Sequence, residues 1–276
     1  MSADRSTIPE RRREAGFTLL ELLISMTILS LLLVILMAIV DSSTKLWRVS
    51  ENRVDSFREA RAALNVIAAD LRGALATGNE NFFQINTSTN LPSTALSPPE
   101  AGNLFFLTRM PADAQSPESN DSDVCAVGYF LAYDSVVFGS GERTMNLYRF
   151  FENSNETFKL IEDDKKLPDR PLTTGPSGEE VLARNIVKFE VSAFVYSDSG
   201  TLEKFVPSPE TPFPDVLEIS LVTLNNEIAQ RLKSESDWRQ TSSTMYARNA
   251  RTFTTRVSLV SPEAIPTPTP QIPPSQ

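Results

Sequence analysis

The chain has 276 residues, 41% hydrophobic and 22% charged, with a formal net charge of −9. That length suits one or two domains, and the acidic balance offers nucleic acid no bulk attraction. With no histidine and one cysteine, Cys125, composition excludes Ser-His-Asp and Cys-His catalysis, the commonest zinc ligand and any intramolecular disulfide.

Arg11-Arg12-Arg13 precedes an apolar run from Phe17 to Val40 in which Glu21 is the sole charge and Pro and Gly are absent. At about 1.5 Å per residue this run makes a helix of roughly 36 Å, enough to cross a hydrocarbon core of about 30 Å. The basic cluster then reads as a topology signal that keeps the N-terminus cytoplasmic and exports the rest. The run is longer than a secretory signal core, and no small-x-small site follows it. Small residues come before it instead, at Ala15-Gly16, so any cut there leaves the apolar run in the mature protein. Glu21 needs a reason, because a carboxylate deep in a membrane helix costs about 2.5–3.5 kcal/mol.

Gly16-Phe17-Thr18-Leu19-Leu20-Glu21-Leu22-Leu23 resembles the prepilin signal shared by type IV pilins and type II secretion pseudopilins. The resemblance implies a cut at Gly16–Phe17 by a membrane prepilin peptidase, N-methylation of Phe17 and a fifth mature residue at Glu21. A new amine at Phe17 lies one helical turn from Glu21. In stacked subunits that carboxylate can meet the amine of its own or a neighbouring chain and set subunit register. The plain alternative is an anchor whose Glu21 snorkels to the interface.

No Pro or Gly occurs between Gly16 and Gly73. Phe57, Ala60, Leu64, Ile67, Leu71 and Leu75 recur at three or four and form one apolar stripe, with Arg53, Arg58, Glu59, Arg61, Asp70 and Arg72 on the other faces. Residues 17–76 therefore read as one helix of about 90 Å, ended by Gly73 and Thr77-Gly78-Asn79. From Asn79 to Glu100 the composition predicts a long loop. Strand patterns follow at Leu104–Met110, Ala126–Asp134, Met145–Phe151 and Thr157–Ile161, the last two pairing across Glu152–Glu156. Further strands read at Ile186–Tyr196, Thr201–Val206 after a turn at Ser197–Gly200, Val216–Leu224 and Thr252–Val260, with a short helix over Asn226–Ser234. With no βαβ alternation, the expected fold is α+β, a long N-terminal helix packed on an antiparallel β-sheet domain. The expected divisions are a cleaved leader at 1–16, a transmembrane half-helix at 17–40, its periplasmic half at 41–76, a β domain at 77–261 and an extended Pro-rich tail at 262–276.

A second resemblance lies in the domain. Leu147-Tyr148-Arg149, then Phe189-Glu-Val191 through Tyr196-Ser-Asp198-Ser-Gly200, then Pro214-Asp-Val-Leu-Glu-Ile-Ser-Leu are similar in order and spacing to the J-type minor pseudopilins. Trp47-Arg48 and Leu221-Val-Thr-Leu-Asn-Asn-Glu-Ile also resemble the C members of the pilin-like Verru_Chthon cassette proteins.

No catalytic or metal-binding residues stand out, and no cofactor is expected. The acidic loops around Asp113, Glu118, Asp121 and Asp123, and at Glu162-Asp163-Asp164, lack EF-hand spacing and read as solvated surface. Gly139-Ser-Gly141 lacks the Lys of a phosphate loop, and Cys125 reads as a small core residue. The expectation is a non-enzymatic, pilin-like subunit of the inner membrane. Its partners would be the prepilin peptidase and other pseudopilins or pilins. The pseudopilus role, at a tip, has a pilus minor pilin as its near alternative and a membrane-anchored enzyme or binding protein as its distant one.

Overall fold

The computed structural model describes residues 18–77, 79–96, 101–115, 122–135, 143–174, 178–197, 199–206, 213–239, 246 and 249–259; within the helix, the side chains of Leu46 and of residues 48–56 are not described. The Pro-rich tail, the Gly139–Gly141 turn, Asp198, and Glu118 and Asp121 of the acidic loop therefore lie outside the described residues. The chain divides into two units at Ser50/Glu51. Helix α1 (Leu19–Arg72) supplies residues 19–50 to the first and 51–72 to the second.

In the second unit the stripe of α1 is core. Ala60, Ala63, Leu64, Ile67, Ala68 and Leu71 are all buried, and Phe57 meets Phe253 edge-on at 5.5 Å between centroids. The helix stops at Arg72, four residues short of the expected end, because Gly73 turns the chain against a strand. A Cβ on Gly73 would lie 2.6 Å from Thr108 Oγ1 and 2.8 Å from the Arg109 carbonyl, so only glycine permits that approach. Leu75 N–H then donates to the Leu107 carbonyl at 2.9 Å.

The strands form two antiparallel sheets, so the expected α+β fold of a long helix with an antiparallel β domain holds. The first orders β1 (Phe83–Ile85), β2 (Leu104–Arg109), β3 (Val124–Ser135), β4 (Arg143–Glu152) and β5 (Glu180–Arg184). The second has β6 (Ile186–Tyr196) between β7 (Leu202–Lys204) and β8 (Val216–Thr223), with β9 (Arg251–Ser258) beyond β8. Asn185, at φ 59°, is the corner between the sheets, a left-handed position that Asn tolerates. Its side chain accepts from Thr144 Oγ1 at 2.6 Å and its carbonyl from Leu224 N–H at 2.9 Å.

Both faces of the first sheet are covered. Val127, Tyr129 and Leu131 join α1 and the second sheet in one apolar cluster. Phe105, Phe130, Tyr148 and Phe150 form another with Leu160 and Leu167. Gly128 lets the sheet close there, since a Cβ at that point would sit 2.0 Å from Phe105 Cδ1.

Three further expectations are corrected. After the short helix α2 (Ala112–Gln115), Thr157–Ile161 is part of helix α3 (Ser154–Glu162), not a strand; Asn153 caps it by accepting from Glu156 N–H at 3.1 Å, and Ser154, Thr157 and Leu160 are its buried face. The 79–100 stretch contains a 3-10 turn, Glu80–Phe82, and strand β1. The helix expected over Asn226–Ser234 is a single turn, α4 (Asn226–Ala229), with a separate α5 (Glu235–Arg239) carrying the fully buried Trp238.

Candidate processing and assembly site

Gly16 and Phe17 lie outside the described residues, so the geometry begins at Thr18, the residue before α1. Thr18 N–H donates to Glu21 Oε2 at 3.0 Å and its hydroxyl donates to the same oxygen at 3.1 Å. Glu21 N–H returns a bond to Thr18 Oγ1 at 3.2 Å. This reciprocal arrangement is a capping box, in which two amides that the first helical turn leaves unpaired find side-chain acceptors. The carboxylate also lies at the positive end of the helix dipole, which favours its charged form. Glu21 is therefore held by its own chain whether or not an amine reaches it. Thr18 is the residue that sequence reasoning passed over, although Thr18-Leu-Leu-Glu21 before an apolar run spells the capping signature.

Beyond the cap the helix is apolar on all sides. Leu19–Lys45 is long and apolar enough to cross a membrane and is exposed along its length among the described residues. Its hydroxyls are satisfied internally: Ser25 donates to the Glu21 carbonyl at 2.7 Å, and Thr27 and Ser30 donate to the carbonyls of Ile24 and Met26 at 2.8 Å. Such back-bonding lets Ser and Thr sit in hydrocarbon without orphan donors. The span ends at an Asp41–Lys45 pair at 2.7 Å and the exposed Trp47, a polar and aromatic boundary of the kind found at membrane interfaces.

A second constellation joins α1 to the first sheet within the 51–259 portion. Asp70, expected on a solvated face, is buried, and one of its oxygens is the acceptor for three donors. Tyr129 Oη donates to Asp70 Oδ2, as do Arg149 Nε at 3.1 Å and Arg149 Nη2 at 3.0 Å. Burial and the neighbouring carboxylate push the Tyr129 hydroxyl well above its ordinary value. Burial alone would lower Arg149, but Asp70 and Tyr129 outweigh it and hold the guanidinium protonated. Arg149 belongs to the Leu147-Tyr148-Arg149 pattern, and the strand sends Leu147 into one core, Tyr148 into the other and Arg149 to Asp70.

Cys125 is buried, with Sγ 3.6 Å from the Thr108 carbonyl, and burial pushes its thiol up to about 12. Asp164 accepts from Asn79 Nδ2 at 2.9 Å and Asp163 pairs with Lys165 at 2.8 Å. Among the described residues no three His, Cys, Asp or Glu side chains group as a metal would require.

The model of the prokaryotic N-terminal methylation motif matches residues 11–37. The chain carries a prepilin-type methylation motif. This motif, the mark of type IV pilins and pseudopilins at their N-termini, covers the basic cluster, Gly16, Phe17, the Thr18–Glu21 cap and most of the apolar span. No curated protein matches the chain. Among solved structures, the type IV-like pilin TTHA1219 from Thermus thermophilus is similar at 13% identity, over 73% of this chain and 94% of that one, with a TM-score of 0.33. That superposition is too loose to bear on function.

Proposed function

We propose that the chain is a structural subunit made as a prepilin, cut at Gly16–Phe17, methylated at Phe17 and assembled through the helix that begins at Leu19. The carrying observation is the coincidence of the methylation motif at 11–37 with an apolar helix that is exposed along its span among the described residues. Before assembly that surface suits lipid, with the N-terminus cytoplasmic and the β domain periplasmic on the inner membrane. After assembly it suits packing against like helices of other pseudopilins or pilins. The resemblance of the 147–149, 189–200 and 214–221 stretches to J-type proteins supports a minor subunit that initiates a type II secretion pseudopilus. Glu21, with one oxygen engaged by Thr18, retains a second for an amine of its own or a neighbouring chain.

N-terminal mass analysis of the membrane-extracted protein tests the processing step. The expected species begins at methylated Phe17, and retention of residues 1–16 would refute the reading. Glu21→Ala is expected to insert normally and to lose co-purification with partner subunits, and unchanged assembly would remove the register role.

A further inference from the structure

Strand β1 is an edge of the first sheet, and β6 is covered by β7 over only three positions, Phe194 to Tyr196. Both leave backbone groups on a single cleft of about 350 Å³, whose lining includes Ile85, Val191, Ala193, Lys166 and Lys204. On β1, Asn86 N–H bonds the Asn103 carbonyl on the β2 side at 3.0 Å. Bonded and non-bonded pairs alternate in an antiparallel ladder, so Ile85 turns its N–H and C=O away from β2. On β6, the Phe189 carbonyl accepts from Gly102 N–H at 2.7 Å and the Ala193 carbonyl from Phe205 N–H at 2.9 Å, both on the side away from β8. By the same alternation the Val191 carbonyl and Ala193 N–H face that side, and among the described residues neither has a partner.

The side chains around these edges point to one kind of occupant. Phe83, Ile85, Val191 and Phe205 are apolar, and Phe83 is backed by the Phe213 ring at 4.5 Å. Lys166 and Lys204 are exposed and unpaired among the described residues, against one carboxylate, Glu80. On a chain of net charge −9, this is a locally cationic slot between two unsatisfied strand edges. Open edges recruit extended chains through main-chain bonds, while alternating pockets and charge choose the sequence.

We propose that this cleft is a strand-acceptor slot for a short extended segment of an acidic partner polypeptide. A segment there donates to the Val191 carbonyl on one side and pairs with Ile85 on the other, placing alternate acidic side chains at Lys166 and Lys204. The proposal stands apart from the assembly reading, since its residues all lie beyond the apolar span.

The test uses the full chain in detergent micelles and a fluorescein-labelled synthetic peptide of alternating Glu and Val. Fluorescence anisotropy is expected to report saturable binding, with amide exchange slowed at Ile85 and Ala193. Lys166→Glu with Lys204→Glu, both at exposed positions, is expected to weaken binding by about 10-fold. A peptide N-methylated at alternate residues is expected not to bind. Equal binding of a Lys-Val peptide would overturn the proposal, as would binding without slowed exchange at Ile85 and Ala193. Slow exchange there in dilute, peptide-free protein would mean that the chain fills its own slot. Protection that grows with protein concentration alone would mean that a second copy does. Either result also overturns it.

Discussion

Replacing Asp70 by Ala tests whether the helix is locked to the sheet by charge. Three donors converge on Asp70 Oδ2, and the side chains of Asp70 and Arg149 are only 9% and 13% exposed. Removing the carboxylate leaves a buried guanidinium without a counter-charge, a loss of about 3–5 kcal/mol. The Tyr129 hydroxyl also loses its acceptor, and an unsatisfied buried group costs about 1–3 kcal/mol. The two overlap, because the vacated space admits water to both, so the expected loss is about 4 kcal/mol. Against a typical total of about 5–15 kcal/mol, that is a large fraction. The contrast is the triple replacement Asp70→Leu, Arg149→Met and Tyr129→Phe, in which neither a charge nor a hydroxyl is left without a partner and stability is expected within about 1 kcal/mol of the parent. Urea unfolding of the full chain in micelles measures both. A Trp47→Phe background leaves the fully buried Trp238 as the reporter. If Asp70→Ala costs under about 1 kcal/mol, or the triple replacement costs the sum of its parts, the locking argument fails.

Thr18→Ala removes one half of the cap and is expected to cost the helix start about 0.5–2 kcal/mol, seen as faster amide exchange in the first turn, with Thr18→Ser restoring it. Gly128→Ala forces a methyl into the Phe105 ring and is expected to destabilise by about 1–3 kcal/mol, partly recovered by Phe105→Leu. Cys125 keeps its proton in the folded state to about pH 12, whereas an exposed thiol ionises near pH 8.5. The native protein is therefore expected to resist iodoacetamide at pH 8.5 and to react once unfolded. The same shift has a sign in stability. Between these values the unfolded chain has lost a proton that the folded chain retains, so this contribution is complete below about pH 8.5 and declines as pH rises above it. Urea midpoints from pH 8 to 10 check this; a midpoint that rises with pH contradicts it.

Much of the architecture could be read locally. The stripe from Phe57 to Leu71 and the alternation from Val187 to Ala193 each have one buried face, and a period shows where only one face is buried. Strand β3 is different, with Val127 and Tyr129 in one core and Ala126 and Phe130 in the other. The alternation of Val127, Tyr129, Leu131 and Tyr133 shows its one face, but the opposite face is buried as well, and nothing in that period marks the second layer behind it. Helix α3 reads locally as a strand because Thr157, Phe158, Leu160 and Ile161 are as apolar as one. What decides it is the Asn153 cap, with Glu156 three residues on, a start signal outweighed by composition. The Thr18–Glu21 cap hides for a related reason: a lone acid in an apolar run reads as a charge needing an external partner, although a residue three positions away satisfies it.

Asp70 marks the limit of local reading. Its neighbours Arg72 and Glu59 are surface residues in pattern, and nothing within the helix separates it from them. Its acceptor role is set by Tyr129 and Arg149, which stand 59 and 79 residues away. A polar residue one position from a buried apolar stripe is ambiguous until the facing strand is known. That strand brings a fixed cation to the one helical carboxylate within its reach. The same reasoning separates the two acids that matter in α1: Glu21 is satisfied by a residue three positions away and Asp70 by residues on another element, so only the first could have been found from the sequence alone.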